Sequence, residues 1–522
     1  MNGKKTSFFL LLLTIASTSC KNNEQNQEPI AATKTDTAYY KEAFRPQFHF
    51  SPERMWMNDP NGLVYNQGIY HMFYQYYPED IVWGPMHWGH ATSTDLIHWE
   101  HQPIALYPDE HGLIFSGSAV LDAMNSSGFG TLENPPLVAI FTYHDMEAEK
   151  AGKADYETQG IAYSLDNGKS WTKYKANPVI QNPGLKDFRD PKVIWHRESQ
   201  SWVLTLVAGD HAEFYSSKNL IDWQKQGEFG KGIGAHGGVW ECPDLLSFKV
   251  EGNGETKWVL LISINPGAPN GGSGTQYFVG NFDGNTFAAE QKGEGWIDWG
   301  TDNYAGVTFS NRPNESPIFI GWMSNWAYAT ATPTENWRSA MTLPRTLSLK
   351  KVGDRYKLFN YPVEGLDTII ESGEPKGIAV EGNQMESLAL NGGNQSEIKF
   401  NTLSTDFVLH LKNGAGERLT LTMDGARKLF LIDRKSAGRI DFKESFAEKI
   451  QQMPIANLPV EGYEVRLLLD WSSLEVFINK GEYVMTVQLF PNKPFDRFEV
   501  ENVRMEALVL KDFEMGRVKS IW

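Results

Sequence analysis

Three short acidic motifs carry the chemistry this sequence offers: WMNDPNG at Trp56–Gly62, FRDPK at Phe188–Lys192 and WECPD at Trp240–Asp244. Hydrolysis of a glycosidic bond needs two carboxyl groups, one to attack the anomeric carbon or activate water, the other to protonate the departing oxygen. Asp59, Asp190 and Glu241 supply three. Taken singly, each motif has a plainer reading. NDPNG is made of turn formers, although Trp56 and Met57 ahead of it are not what a solvated turn needs. Arg189 beside Asp190 also reads as a surface ion pair of small energetic worth. Glu241 stands between Trp240 and Cys242. Desolvation in such a setting raises a carboxyl pKa and keeps the proton in place near neutral pH, as a general acid requires. Pro243 limits further pairing and points to a strand end.

The elements that must bring these acids together are strands. Between Tyr39 and Tyr356 the chain runs in short apolar or alternating stretches, such as GIYHMFYQYY, SWVLTLVAG and KWVLLISIN, broken by Gly, Pro, Asn and Asp. Long amphipathic helical stripes are absent from this pattern. A loose repeat ends at Trp99 (STDLIHW), Trp171 (SLDNGKSW) and Trp223 (SSKNLIDW), with FDGNTF near Phe287 as a degenerate copy. The intervals are unequal, which suits a β-propeller with insertions between blades, and the repeats do not fix the blade number. A propeller aims its innermost strands at one axis. Acids separated by roughly fifty and a hundred and thirty residues can therefore meet in one axial pocket.

After Tyr356 the alternation is cleaner, as in RLTLTMD, KLFLID, YEVRLLLDW and SLEVFINKGEYVMTVQLF. Strands with one polar face suggest two packed antiparallel sheets. The expected organisation is all-β: a propeller over 39–356, a linker over 357–372 around NYPVEG, and a β-sandwich over 373–522.

Composition bounds the rest. The net charge of −16 argues against nucleic acid, whose phosphates call for clustered Lys and Arg, and is neutral toward an uncharged sugar polymer. The 17 tryptophans suit sugar faces and β-rich cores alike. Only Cys20 and Cys242 occur, too far apart in setting to suggest a structural disulfide. Residues 1–20 have Lys4 and Lys5, an apolar Phe8–Ile15 run too short to span a membrane, and Ser17, Thr18 and Ser19 leading into Cys20. This resembles a bacterial lipoprotein signal with Cys20 as the lipidated residue, and the polar residues 21–38 read as a flexible tether. The expected address is the bacterial envelope, on either face of the outer membrane.

Together the three motifs resemble glycoside hydrolase family 32, which includes invertases, inulinases and levanases. FYQYYP at Phe73–Pro78, WGPMHWGHATSTDLIHW at Trp83–Trp99, FSGSAV at Phe115–Val120 and WSSLEVFINKGE at Trp471–Glu482 extend the resemblance over most of the chain from Tyr39. It implies a five-bladed propeller with a C-terminal β-sandwich. It also implies retaining hydrolysis of β-fructosyl linkages in levan or inulin, without metal or organic cofactor. In that scheme Asp59 is the nucleophile, Glu241 the acid/base and Asp190 the group that holds sugar hydroxyls and stabilises the transition state. Nucleophile and acid are expected about 5–5.5 Å apart. Trp56, Asn58, Gln75, Trp83, Phe115, Ser116 and Arg189 are expected around the substrate, with Asp302 and Trp322 as weaker matches. Exo-action is favoured over endo-cutting of levan. The rival readings are a propeller glycosidase that activates water directly, and a fructan-binding lipoprotein without catalysis.

Overall fold

The computed structural model describes residues 39–312 and 316–522. The expected signal, the tether and Cys20 lie outside the described residues. Five antiparallel sheets form the blades of a propeller. Their innermost strands are Met55–Asn66, Leu113–Leu121, Phe188–His196, Val239–Lys249 and Tyr304–Thr308. These strands touch one another in that order around a ring, and the fifth returns to the first. The closure is made by backbone: Ser310 N–H donates to Leu63 C=O at 2.9 Å. The short Trp337–Arg338 strand also pairs in parallel with Met55 and Trp56.

The strands next to the axis are packed by sheets on both sides. Leu137–His144 and Ser201–Ala208 are buried at every residue, so they read as continuous apolar runs rather than as alternation. The tryptophan repeat has a local cause. In three blades a Ser and an Asp or Asn two residues on accept the N–H groups of the turn into the outer strand. Ser93 and Asp95 take Leu96 and Ile97, Ser164 and Asp166 take Gly168 and Ser170, and Ser217 and Asn219 take Asn219 and Ile221. Asp283 does the same for Asn285 and Thr286. Such Asx and Ser turns offer backbone N–H groups a partner where the ladder ends.

The propeller runs further than the expected end at Tyr356. Arg345–Val352 and Arg355–Pro362 form the outer hairpin of the fifth blade, with Thr346 opposite Tyr361 and Arg345 opposite Pro362. The proline of NYPVEG, which suggested a linker, sits at the end of an edge strand, where a missing N–H is tolerated. The junction is therefore shorter than 357–372: a 3₁₀ turn spans Glu364–Ile369, and Ile370–Ser372 already pairs with Leu508–Val518 of the next domain.

That domain is a sandwich of a seven-stranded and a six-stranded sheet. Ile398, Leu467 and Val476 of one face meet Leu409, Leu421 and Phe498 of the other in one core. Its strands do alternate, Leu419, Leu421 and Met423 pointing inward. The outer face of the seven-stranded sheet is not solvated. Its Leu468, Phe477 and Val484 pack with Met341 and Leu343 of the propeller. Buried charges cross the same seam: Arg345, held 2.9 Å from Asp298 within the propeller, is 3.1 Å from Glu475 of the sandwich, and His49 is 2.8 Å from Asp470.

Candidate active site

Each innermost strand loses register near its beginning, and the candidate residues sit in those breaks. The shifts fall between Met57 and Pro60, Ile114 and Gly117, Glu241 and Asp244, and Tyr304 and Val307. In the third blade the break lies between Thr205 and Val207, opposite the Arg189–Lys192 stretch. A bulge bends its strand and re-aims one side chain. Here five bulges re-aim side chains into one mouth of the ring. Asp190, Cys242 and Ala305 adopt φ of 63°, 47° and 53° to do so, a conformation that costs a non-glycine residue about 1–3 kcal/mol. Pro60, Pro191 and Pro243 occupy the same breaks, where no ladder bond needs their N–H. NDPNG is therefore not a free turn but part of the Met55–Asn66 strand. Gly62 shows why glycine is needed there: its φ is +54°, and a Cβ would approach Phe73 to 2.7 Å and Trp88 to 2.8 Å.

The three acids meet in a cavity of about 250 Å³ whose lining includes Asn58, Gln75, Trp83, Phe115, Ser116 and Arg189. Asp59 is held by two donors, Asn58 Nδ2 to Oδ1 at 2.9 Å and Ser116 Oγ to Oδ2 at 2.7 Å. Trp56 Nε1 donates to Asn58 Oδ1 at 2.7 Å and so fixes which end of that amide faces Asp59. Asp190 accepts the Cys242 amide at 2.9 Å. The Cys242 sulfur lies 3.5 Å from Asp59 and 3.6 Å from Asp190, between the two carboxylates. Glu241 receives Arg189 Nη2 on Oε1 at 2.9 Å and the Tyr304 hydroxyl on Oε2. Arg189 is shared: its Nη1 is 2.7 Å from Asp187 and 3.3 Å from Glu157.

Burial is the largest influence on two of the acids. It pushes Asp190 upward, with the charges of Glu241 and Asp59 adding to it and Arg189 pulling back. It also pushes Glu241 upward, against the pull of Arg189. Side-chain exposure is 5% for Asp190 and 18% for Glu241. One guanidinium thus faces several carboxyl groups in a largely buried pocket, an arrangement that favours the neutral forms of Asp190 and Glu241. Burial thus biases Asp190 toward its neutral form. Positive charge growing on a bound sugar ring would favour its ionisation.

The structure brings Asn58, Gln75, Trp83, Phe115, Ser116 and Arg189 to the cavity wall. Trp56 and Trp322 are fully buried behind it, with ring centroids 5.9 Å and 5.0 Å from Trp326, which does line it. Asp302 is not at the site. Its Oδ2 is 2.9 Å from Arg434 of the sandwich and its Oδ1 accepts the Tyr328 hydroxyl at 2.6 Å, so it ties the two domains together. The residue of WGTDNYAG that reaches the acids is Tyr304. Sequence reasoning chose the acid in that segment because carboxyl groups suit the chemistry, and passed over the tyrosine beside it. Trp326 closes the same GWMSNW segment as Trp322, and Asp187 directly precedes FRDPK. His144 and Glu149 also line the cavity, and no motif marks them in FTYHDMEAEK. The His211, Glu213 and Glu228 group, close enough to share a cation, lies away on the third blade. Lys225 already stands 2.5 Å from Glu213 and Lys231 2.7 Å from Glu228.

Residues 49–362 match the glycosyl hydrolases family 32 N-terminal domain, and residues 368–515 match the family's C-terminal domain. A levanase of Bacillus subtilis is 42% identical over 98% of this chain and 74% of its own length. An extracellular exo-inulinase of Aspergillus niger is 40% identical over 87% of this chain and 90% of its own. The crystal structure of an exo-inulinase from Aspergillus awamori superposes with a TM-score of 0.84 at 36% identity, covering 92% of this chain and all (100%) of that one. With both domains matched, and with three carboxyl groups converging where the blades meet, the chain belongs to the glycosyl hydrolases of family 32.

Proposed function

We propose that this protein is a retaining β-fructosidase that removes fructosyl units from the ends of fructan chains, levan or inulin. The observation that carries the chemistry is the pair of unlike carboxyl groups. Asp59 accepts hydrogen bonds from Asn58 Nδ2 and Ser116 Oγ, while Glu241 beside it is pushed up by burial. Two carboxyl groups with opposed environments are what acid and nucleophile require. Asp59 attacks the anomeric carbon as Glu241 protonates the departing oxygen. The Glu241 carboxylate so formed is stabilised by Arg189 and Tyr304. It then takes a proton from water, which attacks the same carbon and releases fructose with retained configuration.

Exo-action is supported by the depth of the site. Trp56 and Trp322 pack behind the wall at zero exposure, so the pocket is backed by packed side chains on that side, as a site for a chain end requires. The exo-inulinase and levanase relatives point to fructan as the substrate class. A chromatographic time course on levan and inulin tests this: fructose should be the first and dominant product. A ladder of oligosaccharides appearing before fructose would overturn exo-action. NMR of the first-formed anomer tests retention. The Cys20 signal supports export and lipid anchoring at the envelope, and Cys20→Ser should move the activity from the membrane to the soluble fraction. Wild-type enzyme found wholly soluble after lysis would defeat that.

A further inference from the structure

Depth in the cavity orders its carboxyl groups. Side-chain exposure rises from 5% at Asp190 through 18% at Glu241 to 47% at Glu149. In the proposed reaction Glu241 protonates the bridging oxygen, so the sugar bound through that oxygen lies on the open side of Glu241. Glu149 lines the same cavity and is the most exposed of the three.

We propose that Glu149, held in place by His144, is the acceptor for a hydroxyl group of the departing sugar. The inference rests on the fructosidase reading and adds the residue that recognises the second sugar.

Three observations carry it. The first is that Glu149 is carried rigidly for a half-exposed residue. It belongs to the single-turn helix Met146–Lys150, whose start is capped by Asp145 accepting the N–H groups of Glu147 and Ala148. The buried Ala148 pins that turn to the blade.

The second is the clamp on its carboxylate. His144 Nε2 lies 3.2 Å from Glu149 Oε2. The imidazole is itself fixed: it stacks on Phe115 at 4.1 Å and 8°, and its Nδ1 lies 3.1 Å from Glu157 Oε1. Glu157 in turn lies 3.3 Å from Arg189, the partner of Glu241. The mouth of the pocket is thereby tied to the acid through a continuous set of polar contacts.

The third is what remains free. Among the described residues Glu149 Oε1 makes no hydrogen bond, and Arg189 is already shared among Glu157, Asp187 and Glu241. A carboxylate oxygen without a partner, on a residue that lines the sugar pocket, calls for a hydroxyl donor. Hydroxyl to carboxylate is a short, charge-assisted bond.

Two substrates separate this role from a general one. A fructosyl trisaccharide (inulotriose or levantriose, whichever the wild type cleaves) has a sugar as leaving group. Methyl β-D-fructofuranoside needs the same nucleophile and acid but departs as methanol. For Glu149→Ala the loss in kcat/KM on the trisaccharide should exceed the loss on the methyl glycoside by about tenfold, close to 1.4 kcal/mol, mostly through KM. His144→Ala should show the same selectivity. His144→Gln, which keeps an N–H donor, should recover part of it. The double mutant should lose little beyond the worse single, because both act through one contact. Equal losses on the two substrates, or none on the trisaccharide, would overturn the assignment. A wild type that cleaves neither substrate would remove the fructosidase reading first, and this inference with it.

Discussion

The amide of Cys242 donates to the carboxylate of Asp190 at 2.9 Å, and both residues have left-handed backbone, φ 47° and 63°. The contact joins the third and fourth blades at the point where each inner strand bulges. A strained pair of this kind persists only where neighbouring structure over-determines it. The neighbours here are the proline after each residue, the Thr142 hydroxyl on the Asp190 amide, and the ring of blades itself. The pocket is thus paid for by the scaffold, and relieving its unfavourable terms should stabilise the protein.

Asp190→Asn tests that consequence. Burial raises the Asp190 pKa in the folded protein above its unfolded value near 4. The folded state then holds the proton more tightly, so this group's contribution is complete below about pH 4 and is lost as pH rises through the folded pKa. Asparagine keeps the acceptor for Cys242 and has nothing to ionise. At pH 7 the variant should melt roughly 1–3 °C above wild type, with the gap closing toward pH 4, while hydrolysis falls by orders of magnitude. Calorimetry across pH 4–8 checks it. A variant less stable than wild type at pH 7 would contradict the sign.

Tyr304→Phe should move the basic limb of the pH–rate profile. The hydroxyl donates to Glu241 Oε2 and so favours the charged carboxylate, lowering its pKa against the larger upward push of burial. Without it the Glu241 pKa rises further and the acid stays protonated to higher pH. The basic limb of kcat/KM should shift upward, and turnover near neutrality should drop about tenfold because less of Glu241 is ionised to act as the base for water. A limb that stays put or moves down would show that the hydroxyl does not control Glu241.

His49 should make the seam between the domains sensitive to alkali. Burial lowers its pKa, but Asp470 at 2.8 Å and Glu475 at 3.3 Å outweigh burial and hold it up to about 9. The folded pKa exceeds the unfolded value near 6.5, so the stabilisation is complete below that and is lost as pH passes 9. His49→Gln should cost about 3–5 kcal/mol at pH 6 through the uncompensated carboxylates, and the difference from wild type should shrink steadily between pH 7 and 10. Denaturant titrations at several pH values measure this. A difference that does not change with pH would remove His49 from the ionic seam.

How far the sequence disclosed this arrangement depended on what each residue pairs with. Asp59, Asp190 and Glu241 were readable because each has a proline one or two residues on in an otherwise strand-like stretch, and a bulge leaves that signature. The sandwich was readable because strands such as Arg418–Asp424 bury alternate residues. The propeller boundary was missed because Asn360–Pro362 looks like a linker until its partner Arg345–Leu347 is known. Asp302 was misplaced because its partner Arg434 lies over a hundred residues away, in another domain. His144 and Glu149 were invisible for the same reason. Their importance comes from facing Phe115 and Glu157, and no local pattern records that.

Glu241→Ala separates the two steps of the proposed mechanism. The truncation removes the proton donor for departure and the base for water, while Asp59 keeps Asn58 and Ser116 as its donors. A fructosyl donor with a good leaving group needs little protonation, so Asp59 should still be fructosylated while its release stalls. Azide needs no base. It should reach the anomeric carbon through the space the glutamate vacated and restore turnover as a fructosyl azide of retained configuration. Arg189 gains a part here: with Glu241 gone, its guanidinium faces the vacated space and should draw the anion in. Mass spectrometry of the variant mixed with activated donor should show one added fructosyl mass on the peptide carrying Asp59. An enzyme that activates water directly forms no such adduct. Neither adduct nor azide acceleration would mean that Glu241 is not the acid/base of a double displacement, however deeply its loss depresses the rate on fructan.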